Sequence, residues 1–314
     1  MAAHLLAITE RAADLKLAQF IVARTGLRYS SARSVRDIQN VLIDYPQTIV
    51  LWDAEEERNA SITAKLLYGR VPPSRVFAIT DSAINQYSHL FDLQIFGHHL
   101  QRRFMDPAPD IYARMAVAAL TPAPFGISRF FPKGTQVQKI TLRKSSHKNK
   151  AVEALNNFLV KKGVITRLAQ LAAQASDEFI MNAIFDAPVG KDGQPTRRAI
   201  DRSAEFDFEP EPGVDMEIAS CDAYTAICVA DTYGSFRREK LFSLLKKDYQ
   251  ERAYVVRSDE VGAGLGIHGL LQAGLSILFV CKGGTRTEAT AFFPNSPTYK
   301  EFRTGPRFLS TLMD

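Results

Sequence analysis

The chain has 314 residues, 46% of them hydrophobic and 23% charged, with a formal net charge of +5 and a sequence pI near 9.0. That balance belongs to a folded globular protein long enough for two domains with separate cores, and it excludes collagen-like, disordered and membrane-spanning classes. The positive excess is thinly spread, and the short cluster Arg143, Lys144, His147, Lys148 and Lys150 reads as a solvated linker or helix start rather than a nucleic-acid surface.

In chain order, His4–Ile8 reads as a strand and Arg11–Thr25 as an amphipathic helix carrying Leu15, Leu17, Ala18, Ile21 and Val22. Thr48–Trp52 and Val76–Thr80 are continuous apolar runs of strand length, suited to strands covered on both faces. Asp106–Leu120 reads as a closing helix with Pro107 in its first turn. This alternation predicts a doubly wound α/β domain over residues 1–121. Pro122, Pro124, Gly126, Pro132 and Gly134 then mark a linker over residues 122–134.

Beyond the linker the pattern changes. Val137–Leu142 alternates as a strand, Ala151–Lys162 and Val164–Ala187 read as helices, and Gly190–Gly213 as a polar, mobile loop. Val214–Ser220 and Tyr224–Ala230 form a hairpin around Cys221, Asp222 and Ala223. A helix over Gly266–Ala273 and strands over Ser276–Cys281 and Glu288–Phe293 complete an α+β sandwich over residues 135–314, with helices on one face of a mixed sheet.

The cysteines, Cys221, Cys228 and Cys281, are odd in number and lack CxxC or zinc-ligand spacing, which points to a reducing cytoplasm. The N-terminus does not read as a signal peptide, and no stretch of about 18 apolar residues occurs, so a cytoplasmic protein without a membrane partner is expected.

Three motifs in the second half carry chemistry. In Asp177–Ala183, Glu178 and Asn182 share one helical face in an otherwise apolar turn. A buried amide must be hydrogen-bonded or ligate something, and an Asn carbonyl beside a carboxylate suits Mg²⁺. Asp231, after a strand and close to Gly234, can accept from an exocyclic amine. Gly262, Gly264 and Gly266 lead into a helix, where exposed backbone N–H groups and the helix dipole favour phosphate. Taken singly, each has a plainer explanation: an Asn capping a loop, an ordinary Asp-Gly turn, or a chance GxGxxG. The dinucleotide reading of the glycines fails on context, because Arg257–Glu260 precedes them instead of a buried strand.

Together the three motifs resemble the N, G1 and G2 boxes of the GHKL (Bergerat-fold) ATPases, in that family's order. Gly283-Gly284-Thr285 stands where the family has its last Gly-x-Thr. The phrase EFIMNAIFDAP is similar to the anti-sigma-factor serine kinases. The resemblance implies an ATP- and Mg-binding domain: Asn182 on Mg²⁺, Glu178 polarising the attacking hydroxyl or water, and Asp231 with Gly234 at adenine. Gly262, Gly264 and Gly266 would then line the phosphates, and Thr285 would support the adenine end. Tyr233 and Ser235 replace the usual glycines of the second box. Residues 236–261 would form a lid in which Arg237, Arg238, Lys240, Lys246, Lys247, Arg252 and Arg257 are candidates for the γ-phosphate.

The first half resembles response-regulator receiver domains, with Asp53 at the phosphoacceptor place and Thr80 at the phosphate-sensing one. Only Glu10 represents the acidic pair after strand one, no lysine is found after strand five, and His98 and His99 read as solvated loop residues. The resemblances imply a signalling protein with a degenerate receiver (pseudo-receiver), acting on a protein partner as a kinase or ATPase. The alternative is a nucleotide-dependent interaction switch without turnover. A DNA-binding regulator lacks a helix-turn-helix pattern. Oligomeric state is left open, although both families often form homodimers.

Overall fold

The computed structural model describes residues 3–87, 89–103, 110–197, 199–208, 213–250, 264–305 and 307–313. The chain divides into two units, Met1–Pro124 with Gly305–Leu312, and Phe125–Thr304 with Met313–Asp314.

The first unit alternates strands and helices: β1 (His4–Ile8), α1 (Ala12–Thr25), β2 (Arg28–Ser31), α2 (Val35–Asp44), β3 (Thr48–Asp53), α3 (Glu57–Leu67), β4 (Val76–Thr80), α4 (Leu90–Leu93), β5 (His98–Gln101) and α5 (Ile111–Ala119). The strands pair in parallel in the order β2-β1-β3-β4-β5. β3 and β4 are the continuous apolar runs, and their residues Ile49–Trp52 and Val76–Ile79 are buried, as strands covered by helices on both faces must be. α1 packs against α5, and α2 against α3. The turnaround in strand order between β1 and β3 puts these two pairs on opposite faces, given right-handed crossovers. The expected helix from Asp106 is present as α5 from Ile111; residues 104–109 lie outside the described residues.

The second unit contains β6 (Val137–Leu142), α6 (His147–Lys161), α7 (Thr166–Met181), β7 (Val214–Ser220), β8 (Tyr224–Asp231), α8 (Arg238–Gln250), α9 (Gly264–Ala273), β9 (Ser276–Lys282), β10 (Arg286–Pro294) and α10 (Tyr299–Thr304). Its strands run β9-β10-β8-β7-β6. Every pairing among them is antiparallel, which corrects the expected mixed sheet for this unit. α7 packs on β8 and β10 and against α6 and α9. The final strand, β11 (Phe308–Met313), pairs antiparallel with β5 and so belongs with the first unit, not with the second as the sequence division had it.

Two other expectations change. Residues 125–131, read as linker, are packed into the second unit: Ile127, Phe130 and Phe131 are buried, and Gly126 N donates to Glu288 Oε2 at 2.8 Å. The apolar side chains among the Pro and Gly punctuation carried that signal. The loop after α7 is tied down by a bridge between Lys144 and Asp207 and by buried Phe208.

His98 and His99 are not loop residues. They sit in β5 at 0% and 3% exposure. Thr80 Oγ1 donates its one proton to Ser82 O at 2.8 Å, so the 2.8 Å contact with His99 requires His99 Nε2–H to be the donor. Burial pushes His98 down to about 4 and His99 to about 3. Folded, both stay neutral while the unfolded chain takes up protons below about pH 6.5. Stability therefore falls as pH drops from about 6.5 towards 4. Thermal melts between pH 7.5 and 4.5 should show this decline, and His99→Gln should flatten it.

Candidate functional site

The site in the second unit begins where α7 ends. Phe179 and Ile180 bury the inner face of the helix, and the last turn widens into a π-helical turn over Asn182–Asp186. Ala187 N donates to Asn182 O at 2.8 Å, the i to i+5 bond of such a turn. π-turns inside helices recur at functional sites. Asn182 Nδ2 donates to Glu178 Oε1 at 3.1 Å, while Asn182 Oδ1 is buried with no hydrogen-bond partner among the described residues. Burial pushes the Glu178 carboxyl up, and the bond from Asn182 opposes that shift.

α9 meets this pair through Gly266. A Cβ on Gly266 would lie 2.0 Å from Glu178 Cδ, so the carboxylate occupies the space that a side chain would fill. Gly264 opens α9, whereas Gly262 lies outside the described residues, as do residues 251–261 of the expected lid, including Arg252 and Arg257. The first part of that lid is helix α8.

Asp231 ends β8 at 6% exposure. Its Oδ1 accepts from Tyr233 N at 2.8 Å and Gly234 N at 3.2 Å, and burial pushes it up to about 6. Strand register places Thr287 opposite it, and the Thr287 hydroxyl hydrogen-bonds the carboxylate. Gly234 has φ 59°, and a Cβ there would lie 2.2 Å from Lys282 O. Only glycine permits this close approach of the turn to the β9–β10 loop, where Gly284 N donates to Gly234 O at 3.1 Å. Gly234 thus packs the turn and does not line the cavity. Thr285 is exposed on that loop, with Oγ1 3.5 Å from Gly283 O.

Asn182 and Asp231 line one cavity of about 140 Å³, together with Asp186, Ser235, Phe236 and Thr287. Phe236 stacks on Phe279 at 4.4 Å between centroids, and Phe179 meets Phe279 edge-on at 6.4 Å. Arg237 and Lys240 supply cations at the same cavity. The volume suits one heterocycle, below the roughly 300–1,000 Å³ of sites that enclose drug-sized ligands. The unpartnered Asn182 Oδ1 beside a carboxylate is a hard-oxygen pair that fits Mg²⁺. Thr287, rather than Thr285, stands beside Asp231. Alternation along β10 could have found it, since Thr287 and Ala289 both line the cavity.

In the first unit, Asp53 sits at the end of β3, but its carboxylate is not free. Arg102, directly after β5 and 7% exposed, donates from Nη2 to Asp53 Oδ1 at 2.8 Å and from Nε to Asp14 Oδ1 at 2.8 Å. Nη1 pairs with Asp81 and lies 3.8 Å from Glu55 Oε2. Arg11 Nε is 3.4 Å from Asp53 Oδ2. Burial disfavours the Arg102 charge, yet its bonds to Asp14 and Asp81 outweigh that and raise its pKa above the usual value. This cation follows a strand that runs on through His98 and His99 to Gln101, so it stands beyond the stretch 96–100 where a receiver lysine is expected. The Glu10 side chain is 76% exposed and lies 3.9 Å from Arg33. Thr80 is buried against His99 and the Ser82 carbonyl instead of facing Asp53.

Among the described residues, no helix is long and apolar enough to cross a membrane. Comparison with protein-family models and with curated proteins found no match for this chain.

Proposed function

We propose that the second unit is a nucleotide-binding, kinase-like domain that takes ATP with Mg²⁺, and that the first is a pseudo-receiver through which the chain meets a protein partner in signalling. The observation that carries this reading is the convergence of Asn182 and Asp231 on one cavity, with the Glu178 carboxylate against Gly266 of α9. Asp231 offers a buried acceptor to the exocyclic amine of adenine, and the Phe236–Phe279 stack offers an apolar wall to its ring. The phosphates lie outside so small a cavity, towards the start of α9, where backbone N–H groups face anions. Asn182 Oδ1 would hold Mg²⁺, which when bound offsets charge on the phosphates. Glu178, its proton affinity raised by burial, is suited to take a proton from an attacking hydroxyl or water.

Turnover of Mg-ATP, followed as γ-phosphate loss to water or protein, is expected in the wild type. Glu178→Gln is expected to retain binding and lose turnover by a factor of about 100 or more. Binding without turnover in the wild type would favour a second reading, a nucleotide-dependent interaction switch. Phe236 supports it too: this ring lines the cavity together with Lys240, Leu241 and Leu244 of α8, so occupancy of the cavity would bear on that helix.

Gly266→Ala is a sharper probe of the same contact. The clash is with the end of a flexible side chain, and alanine favours helix by about 1 kcal/mol, so the fold should survive. The Glu178 carboxylate must swing away, breaking its bond to Asn182. Thermal stability within about 1 kcal/mol of wild type with turnover lost is the expected pair of results.

For the first unit, the two arginines on Asp53 take up the carboxylate that a phosphoacceptor would need free. A partner-binding or dimerising role that does not depend on phosphorylation follows, and acetyl phosphate should not label Asp53.

A further inference from the structure

The first unit holds a cavity of about 680 Å³ at the carboxyl ends of β1 and β3, between α2 and α3. It lies where the strand order turns, β2-β1-β3, the position at which open α/β sheets bind ligands outside the strand ends. Its size falls in the range of small-molecule sites, about 300–1,000 Å³. The floor is apolar, made by Ile8, Ile38 and Leu66 from the cluster around Leu6 and Ala32. One polar group interrupts it. Thr63 is 7% exposed, lines the cavity, and makes no hydrogen bond to any described residue. Its hydroxyl is therefore uncommitted at the cavity wall, free to accept from or donate to a ligand group.

Charge decides the class of ligand. The lining brings Glu10, Asp53, Glu55 and Glu56 against Arg11 and Arg33. Arg11 is already committed to Asp53 at 3.4 Å and Asp81 at 3.5 Å. Arg33 reaches only to Glu10, at 3.9 Å, with both side chains largely exposed. The start of α2 does not invite an anion, since Ser34 Oγ accepts from Asp37 N and the Asp37 carboxylate occupies that first turn. Arg102 takes up Asp53 at 2.8 Å and lies 3.8 Å from Glu55 Oε2, so Glu56 is the lining carboxylate left without a cation partner among the described residues.

We propose that this cavity binds a small organic cation, an apolar body carrying one ammonium group. The body packs on Ile8, Ile38 and Leu66, and the ammonium faces Glu10 and Glu56, with the Thr63 hydroxyl as acceptor. The site is independent of the nucleotide cavity, and the proposal uses no phosphorylation of Asp53, although Glu10 and Asp53 stand in its lining.

Calorimetry on the full chain at pH 7.5 with three probes of one shape tests it: 2-phenylethylamine, neutral 2-phenylethanol and anionic 3-phenylpropionate. The amine is expected to bind about tenfold more tightly than the alcohol, with the anion weakest. Thr63→Val is isosteric and removes no intramolecular bond, so it should melt like the wild type yet bind the amine more weakly. Glu56→Gln should narrow the gap between amine and alcohol. Equal affinity for amine and alcohol, tighter binding of the anion, or no binding of any probe would overturn the proposal.

Discussion

Replacing Arg102 with methionine is expected to destabilise the first unit by about 3–5 kcal/mol, the usual cost of removing one partner from a buried ionic network. Methionine keeps much of the volume but leaves Asp14, fully buried, with the Thr9 hydroxyl at 2.9 Å as its remaining side-chain partner among the described residues. Asp53 and Asp81 would then share Arg11 alone. Arg102→Lys should be intermediate, because an ammonium keeps the charge but cannot serve Asp14, Asp53 and Asp81 from one planar fork. Urea unfolding of the full chain checks this, as a lowered midpoint for both variants and the lowest for methionine. An unchanged midpoint would mean that the carboxylates find solvent or other partners at no cost.

Asp231→Asn should do the opposite in the second unit and stabilise it. Burial raises Asp231 from 3.8 to about 6, so the folded chain holds that proton more tightly than the unfolded chain. The stability linked to the proton is fully present below about pH 4 and is lost as pH rises through 6. An asparagine never ionises, and its carbonyl oxygen can still accept from Tyr233 N and Gly234 N. At pH 8 the variant is therefore expected to gain up to about 3 kcal/mol, and its melting temperature should vary less between pH 4 and 6 than that of the wild type. A variant less stable than wild type at pH 8 would mean that the charge is stabilised by a partner. A buried carboxylate that costs stability is what a binding role predicts, since perturbed titratable groups cluster at functional sites.

Much of the architecture was legible because it rests on patterns of burial. The apolar runs of β3 and β4 announced strands covered on both sides, and the alternation in β7 beside the turn at residues 221–223 announced a hairpin, although β8 itself is buried along its whole length. What escaped depends on distant partners. β11 looks like a tail until it pairs with β5, and His98 and His99 look like loop residues until that strand is counted to Gln101. The same miscount hid Arg102, whose role depends on residues 49 and 88 positions away, Asp53 and Asp14. In the candidate site, Glu178, Asn182 and Asp231 stand out in the sequence because each is a polar group among apolar neighbours that the fold buries in whole or in part. Thr287 was missed and Thr285 preferred, because motif spacing sees a Gly-x-Thr string, whereas strand register decides which threonine faces Asp231.

The central claim is that Asn182, Asp231 and the start of α9 form one nucleotide site. Titration of the wild type and of Asp231→Asn with Mg-ATP tests it most directly. One molecule of ATP bound per chain by the wild type, with binding abolished in a variant that remains folded, is the predicted result. No heat with the wild type, or the same affinity in both proteins, would contradict it.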